Sequence, residues 1–488
     1  MSIEQQLIAL LTIPALGAVF IGVMGRLHPN LREAATFITA VMLASVAWSL
    51  ASAVSHGARG EIVLSQLNAA LSIKLHIEPL GALFATLAAS LWIVNSLYSV
   101  GYMRGNKEKH QTRFYIFFAI SIAAAMGVAL AGNLFTLFLF YELLTLSTYP
   151  LVTHKGDQAT IKSARIYLGI LMGTSITLFL PAVIWVSMIN GGEFTLGGTL
   201  QGKVDGPTAG LLLALFTFGI GKAAVMPIHR WLPAAMVAPT PVSALLHAVA
   251  VVKAGVFSIT KIILYIFGAD WLFSLNTTQW LVWISAFTII SASVVALRQT
   301  NLKRLLAYST IGQLSYVVMA TAILKPMAEI GAALHMVAHA FGKITLFFAA
   351  GAIYVASKKI DITELAGIAK RMPITMTAFT IGALSMIGVP PTGGFVSKWY
   401  ILAGAFEADN FLAIFTIITS TALNAAYFLP IIYVAWFMPE TVAPKKEHGE
   451  APVAMVIALS ITALLALGFF FYNAPVLDLE RQLVEAMQ

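Results

Sequence analysis

The 488 residues include no cysteine. That absence excludes disulfides, thiolate metal sites, iron–sulfur clusters ligated by this chain and a cysteine nucleophile, and it removes any redox clue to the compartment. Charge is nearly as scarce. Asp, Glu, Lys and Arg make up 10% of the chain and hydrophobic residues 59%, with a mean hydropathy of +0.87; soluble domains carry roughly 25% charged residues. So little polar surface excludes an ordinary soluble enzyme, a disordered chain and a nucleic-acid-binding protein. A polytopic membrane protein remains. Phosphate-binding loops, dinucleotide fingerprints, nucleophile elbows and zinc-hydrolase motifs are missing too. No segment between the apolar runs is long enough for a soluble domain, so the expectation is that this chain holds no cofactor and no metal.

What is present is a succession of apolar stretches long enough to span a bilayer. They lie near 3–25, 31–55, 79–103, 112–132, 133–152, 160–189, 208–231, 239–268, 278–298, 303–324, 328–356, 373–406, 411–438 and 451–472, which predicts an all-α protein with about 14 transmembrane helices. Segment 60–78 differs. Glu61-Ile-Val-Leu-Ser and Leu71-Ser-Ile-Lys-Leu-His-Ile alternate apolar and polar residues, the pattern of a short extramembrane β-hairpin. The first apolar run begins at Ile3 with no basic stretch ahead of it, which reads as a retained first helix.

An even number of spans puts both termini on one side. Loops after odd-numbered spans, from Arg26 and Arg104 through Lys155, Arg230, Lys358 and the pair Lys445 and Lys446, hold 19 of the Lys and Arg residues; the opposite side, from Arg59 to Arg481, holds 5. This positive-inside bias places the odd loops in the cytoplasm and both termini outside. The net charge of +8 is then an orientation signal rather than the mark of an anionic partner.

Five lysines remain inside spans: Lys222, Lys253, Lys261, Lys343 and Lys398. Glu142 alone among the acids lies deep in an apolar run, and His247, His335 and His339 join the group. Ionisable residues within membrane helices are functional candidates, since each is costly there. Each also has a plainer reading. Glu142 could hold two helices together, Lys253 could form a structural pair, and Lys261, nearer the outer end of its helix, could snorkel to the interface. His335, His339 and Lys343 are spaced i, i+4, i+8 and share a helix face, which suits a proton relay; structural hydrogen bonds and a metal site are the alternatives. His247 lies six residues from Lys253, so the two face different ways.

Two breaks stand out. Gly219, Gly221 and Pro227 surround Lys222, and Gly388-Val-Pro390-Pro391-Thr-Gly393-Gly394 precedes Lys398. Broken helices that carry a charge mark ion pathways. The expected organisation is an N-terminal unit of three helices with the hairpin (1–111), two inverted five-helix repeats (112–268 and 278–438) with helices 7 and 12 broken, and a loop with a last helix (439–488).

The run Gly221-Lys222-Ala-Ala-Val-Met-Pro-Ile-His-Arg-Trp-Leu-Pro-Ala-Ala-Met-Val-Ala-Pro-Thr-Pro-Val-Ser-Ala-Leu-Leu-His247 resembles the core of the antiporter-like subunits of Mrp-type cation/proton antiporters, respiratory complex I (subunits L, M and N) and membrane-bound hydrogenases. Asn301-Leu-Lys-Arg-Leu-Leu-Ala-Tyr-Ser-Thr310-Ile-Gly-Gln-Leu-Ser-Tyr is similar to the family's second signature, with Asn301 and Thr310 where the family usually has Asp and Ser. The resemblance covers nearly the whole chain. It implies that Glu142 is the fifth-helix glutamate, Lys222 its seventh-helix partner and Lys253 the central eighth-helix lysine. It further implies that His335, His339 and Lys343 form the connecting stripe and Lys398 the twelfth-helix terminus of a hydrated proton path. Lys398 departs from the glutamate usual in the M type. The chain stops after its last span, without the lateral helix of the L type. The Ala-Pro-Thr-Pro-Val-Ser-Ala-Leu-Leu-His run is nearest the Mrp and hydrogenase branch.

The resemblance therefore implies a D-like Mrp protein of the bacterial cytoplasmic (inner) membrane, exchanging H⁺ for Na⁺ with other membrane subunits as partners. The alternative it leaves is a proton-pumping component of a complex I-type NADH-quinone oxidoreductase or a hydrogenase. A passive scaffold and a lone solute carrier are the other classes, and lysines in both halves speak against the first.

Overall fold

A computed structural model of the chain describes residues 1–67, 71–440 and 449–485. In lipid no water is available to the backbone, so an apolar chain must satisfy its peptide groups internally, and the helix does this within one segment. The helices are α1 (Ile3–Leu27), α2 (Pro29–Ser55), α3 (Pro79–Gly105), α4 (Gln111–Ala129), α5 (Leu134–Val152), α6 (Gln158–Asn190), α7 (Gly206–Gly219) and α8 (Thr240–Phe267). They continue as α9 (Gln279–Leu297), α10 (Leu302–Ile323), α11 (Pro326–Ser357), α12 (Pro373–Ile387), α13 (Gly393–Glu407), α14 (Phe411–Phe437), α15 (Val453–Phe471) and α16 (Ala474–Glu485). Among the described residues, 12 of these are long and apolar enough to cross a membrane; α7 and α12 are shorter apolar helices.

Both broken segments stop for local reasons. The regular helix expected to reach residue 231 ends at Gly219. A single 3₁₀ turn, Gly221–Ala223, follows; Ala224 is left-handed (φ 54°), and α-helix returns only at Trp231–Ala234. Pro227 has no N–H to give a continuing helix. In the second segment α12 closes on Gly388 (φ 90°), a conformation glycine adopts freely at a helix end. Helix resumes at Gly393 beyond Pro390 and Pro391.

The hairpin is where the alternation placed it. Strands β1 (Gly60–Gln66) and β2 (Ser72–Ile77) pair antiparallel, with a bulge between Val63 and Ser65. The α4–α5 turn lies along the other edge of β2: His76 N donates to Leu130 O (2.8 Å) and Gly132 N to Lys74 O (2.9 Å).

One element was not foreseen in the loop-and-helix unit 439–488. Helix α16 follows α15 with apolar Val476, Leu479 and Leu483 at helical spacing, all buried, and lies against α2, α3 and α11. The signal is there in the sequence, but α16 is too polar to register as a span.

Loop contacts sort by side as the alternation of spans requires. Arg104 donates to Asn30 (2.5 Å), Arg113 to His154 O (3.0 Å), Lys358 to Asn106 (2.5 Å) and Lys303 to Ala238 O (2.7 Å), and Lys359 and Arg371 meet Glu440. All of these residues lie in loops after odd-numbered spans or at the span ends that border those loops. On the other face Lys74 pairs with Glu193 (3.0 Å), Arg59 donates to Gln482 (3.3 Å) and Lys325 sits over the Phe273 ring. Lys445 and Lys446 lie outside the described residues.

Burial locates the centre. The most apolar window of α8 is 100% buried, and those of α10 and α11 are 94% buried, against 33% for α1 and α6. The three central helices are the ones that carry or face the intramembrane lysines and histidines.

Candidate functional site

The first break presents Lys222 to α5. Lys222 is fully buried. Its Nζ donates to the Tyr141 carbonyl oxygen (2.7 Å) and to Thr145 Oγ1 (2.5 Å), and lies 3.1 Å from the centre of the Tyr141 ring. Its backbone N–H donates to Tyr141 Oη (3.1 Å). A buried ammonium needs such partners. The expected direct pairing with Glu142 is not what forms. Consecutive helix residues point about 100° apart. Tyr141 and Thr145, one turn apart, supply the hydrogen bonds to Lys222; Glu142 is near enough to act on Lys222 through its charge but makes no hydrogen bond to it, and both of its buried carboxylate oxygens lack a hydrogen-bond partner.

Gly255 lets α8 close on this turn. A Cβ added there would collide with the backbone of Lys222 and Ala223. Gly255→Ala is therefore expected to lower the thermal midpoint, in line with the roughly 1–3 kcal/mol typical of overpacking. Melting of the purified variant checks this, and an unchanged midpoint would mean that the turn can yield.

From α8 a polar row runs through the centre. Lys253 Nζ lies 2.6 Å from His339 Nδ1. Lysine can donate as an ammonium or accept as an amine, so one proton can reside on either partner. His339 and His335 stack with ring centres 6.3 Å apart. His335 Nδ1 is 2.9 Å from Ser397 Oγ, and its ring lies against Tyr316. Ser397 is the neighbour of Lys398 on α13. Lys398 Nζ donates to Met386 O (3.0 Å) and Ile387 O (2.8 Å), the final carbonyls of α12, and sits 5.1 Å from the Tyr316 ring centre. The second break thus offers a helix C-terminus, with its partial negative charge, to a buried cation.

Lys343 leaves the row sideways. Its Nζ donates to Ser309 Oγ (2.8 Å), which is hydrogen-bonded in turn to Tyr427 Oη (3.0 Å). The i, i+4, i+8 stripe therefore fans out: His339 faces α8, His335 faces α13, and Lys343 faces α10 and α14. The helix rotates by 40° every four residues, so a stripe meets several neighbours in turn. His335 Nε2 and His339 Nε2 are buried without a hydrogen-bond partner, as are both ring nitrogens of His247. His247 sits on a π-helical turn, Leu245–Val249, with its ring 4.8 Å from that of Phe347; it makes no hydrogen bond to the row.

Lys261 does not snorkel. It is fully buried and pairs with Glu78 Oε1 at 2.5 Å. Glu78 was counted with the loop because it stands just before a span, yet it is more deeply buried than Glu142. Thr145, Ser309, Tyr316, Ser397 and Tyr427 were missed as well, since hydroxyl residues are frequent in membrane helices and only packing singles these out.

Comparison with known proteins gives a consistent picture. A family model described as NADH:quinone oxidoreductase/Mrp antiporter, transmembrane, matches residues 131–424, which takes in every one of the row's residues. NADH-quinone oxidoreductase subunit N of Desulforudis audaxviator is 32% identical over 447 residues, covering 88% of both chains. The A/B component of a probable K(+)/H(+) antiporter of Rhizobium meliloti is 32% identical over 412 residues, covering 81% of this chain but only 40% of the relative. Two solved structures superpose with a TM-score of 0.85. One is the membrane-bound sulfane sulfur reductase, an archaeal respiratory membrane complex, at 25% identity (97% of this chain, 96% of that one); the other is the Mrp complex from Dietzia, at 21% (98% and 96%).

Proposed function

The chain belongs to the NADH:quinone oxidoreductase/Mrp antiporter family of membrane subunits, and from that membership we propose that it is the proton-translocating component of a multisubunit Mrp-type Na⁺/H⁺ antiporter. The observation that carries the reading is the central row Lys253–His339–His335–Ser397–Lys398, hydrogen-bonded at Lys253–His339 and at His335–Ser397 with the two imidazoles stacked between, buried in the middle of the molecule and crossing from one half to the other. A proton taken up near Glu142 and Lys222 passes to Lys253, along the two imidazoles and out by Lys398. Residues 112–268 and 278–438 act as two inverted repeats, each with its broken helix supplying one lysine. The protein resides in the bacterial inner membrane with both termini outside, among other membrane subunits.

The energies are compatible with gating by a small rearrangement. Moving one charge through 100 mV involves about 2.3 kcal/mol. A hydrogen bond to a charged group is worth about 1.5–3 kcal/mol. Releasing Lys222 from either Tyr141 O or Thr145 Oγ1 changes its proton affinity by an amount of that size.

The test is sodium-driven proton exchange in membrane vesicles. Lys222→Ala is expected to reduce exchange by at least about tenfold, the loss of one charged hydrogen bond, with normal amounts of assembled protein. Glu142→Ala is expected to act in the same direction. Normal exchange in both would overturn the reading. A second reading is favoured by the full-length match to a subunit N: a proton-pumping component of a respiratory complex. Copurification separates the two. Small hydrophobic subunits alone support the antiporter; flavin or iron–sulfur subunits, with proton movement that follows quinone reduction, support the respiratory assembly.

A further inference from the structure

The outer face holds a second set of titratable groups that the central row does not use. Strand β2 and the residue after it read Lys74-Leu75-His76-Ile77-Glu78. Strand residues alternate between faces. Leu75 and Ile77 are fully buried on one side, and Lys74, His76 and Glu78 lie on the other. The column grades from surface to interior. Lys74 is partly exposed and pairs with Glu61 (2.8 Å) and Glu193 (3.0 Å). His76, opposite Glu61 in the hairpin register, is half-buried. Glu78 is buried and pairs with Lys261, whose Nζ also donates to Ala131 O (2.9 Å). Lys261 stands eight residues beyond Lys253 on the same helix, about 12 Å along its axis.

Helix α16 closes the set from above. Glu480, on this helix, is buried, and its Oε1 has no hydrogen-bond partner. Gln482 of the same helix donates to the Ser55 carbonyl oxygen and accepts from Arg59, which fixes α16 over the outer ends of α2 and α3. Burial, followed by the nearby carboxylates of Glu78 and Glu329, pushes the Glu480 carboxyl up to about 8. Burial, followed by Lys261, holds His76 below the usual histidine range. The His76 imidazole is therefore neutral near neutral pH.

We propose that Lys261, Glu78 and His76 form an outer proton port for the first half of the molecule, covered by α16. The proton leaves the Lys261 ammonium as the amine forms, protonates the Glu78 carboxylate, moves to the neutral imidazole of His76 and passes to water at the hairpin. Each acceptor returns to its starting state as the proton moves on, and the Lys261 amine is recharged by the next proton from the row. The port rests on the proton-translocation reading above: it is a second outlet from that row, taking protons at Lys253, where the main path continues to Lys398.

The deciding variant is Lys261→Arg. Arginine keeps a cation against Glu78 but does not deprotonate in a protein. A structural staple survives this change and a proton carrier does not. In vesicles holding the full assembly, Lys261→Arg is expected to reach normal amounts and to release protons to the outer side at least tenfold more slowly. His76→Gln, a change of similar size at a partly buried hairpin position, is expected to slow that release severalfold. Normal release in both variants would overturn the port. Should Lys261→Arg not accumulate, His76→Gln decides alone: slowed release supports the port and normal release overturns it. Lys222→Ala and Lys253→Met are run beside them. If those two abolish transport and the port variants do not, the port fails and the central row stands; if those two are inert, the row itself fails.

Discussion

Lys253→Met is expected to stop proton movement while leaving the folded protein as stable as before. Lys253 is buried at the centre, and among the described residues its Nζ has one hydrogen-bond partner, His339 Nδ1 at 2.6 Å. Methionine matches the length of the aliphatic stem and fills the same space. It removes a charge that is costly to keep out of water. The loss on the other side is one hydrogen bond to His339, about 1–3 kcal/mol if the ring nitrogen is left unsatisfied. The two effects oppose each other, so the thermal midpoint should move by no more than about 5 °C. Transport should not survive, because a thioether carries no proton. Proton transfer by a positioned side chain contributes roughly 10²–10⁴-fold, and a loss of at least about 100-fold is expected on that basis. The measurement pairs melting of the purified protein with ion-driven proton flux in vesicles. Retained flux would remove Lys253 from the path; a collapsed midpoint would make its role structural.

Glu78→Ala should have the opposite signature, a large loss of stability. The carboxylate pairs with Lys261 at 2.5 Å, both are buried, and the groups nearest Lys261 otherwise are the Ala131 carbonyl and the rings of Phe194, Phe257 and Tyr265. Removing one partner of a buried pair leaves the other charge uncompensated, at about 3–5 kcal/mol. Adding Lys261→Met to the same chain should recover most of that, because replacing a buried pair with apolar residues of similar volume is often neutral. Thermal denaturation of the single and double variants makes the comparison. If the double variant melts as low as Glu78→Ala, the damage comes from the start of α3, where Glu78 precedes the first turn, and the pair contributes little.

The proximity of charged groups was legible in the sequence more often than their partners were. The spacing of His335, His339 and Lys343 put them on one stripe. That each meets a different helix followed from the 40° drift per four residues and the arrangement of α8, α10 and α13 around α11. Glu142 and Lys222 were expected to touch; the neighbour of Glu142 does so instead, because a helix places adjacent residues on different faces. The breaks at Pro227 and at Pro390-Pro391 were legible because proline and glycine act locally. What each break exposes was not: Lys398 takes the last carbonyls of its own broken helix, whereas Lys222 takes a carbonyl and a hydroxyl from α5.

Lys261 shows the limit most clearly. A lysine near the end of an apolar run is compatible with snorkelling and with burial, and nothing within the run distinguishes them. The difference lies in Glu78, which reaches it from the start of another helix, and in α16, which covers the region with a stripe too polar to count as a span.

The sequence by itself determined that this is a helical membrane protein of its family, where its helices break and which few charged residues stand inside the spans. Those properties are local or compositional: lipid forces each segment to satisfy its own backbone, and a charge in an apolar run is visible at once. Only the tertiary structure decided which charges are partners. Lys253 and His339, Lys343 and Ser309, and Lys261 and Glu78 come together from distant helices. A buried polar group is stabilised by whatever packing brings within about 3 Å of it, and no periodicity within one segment records that.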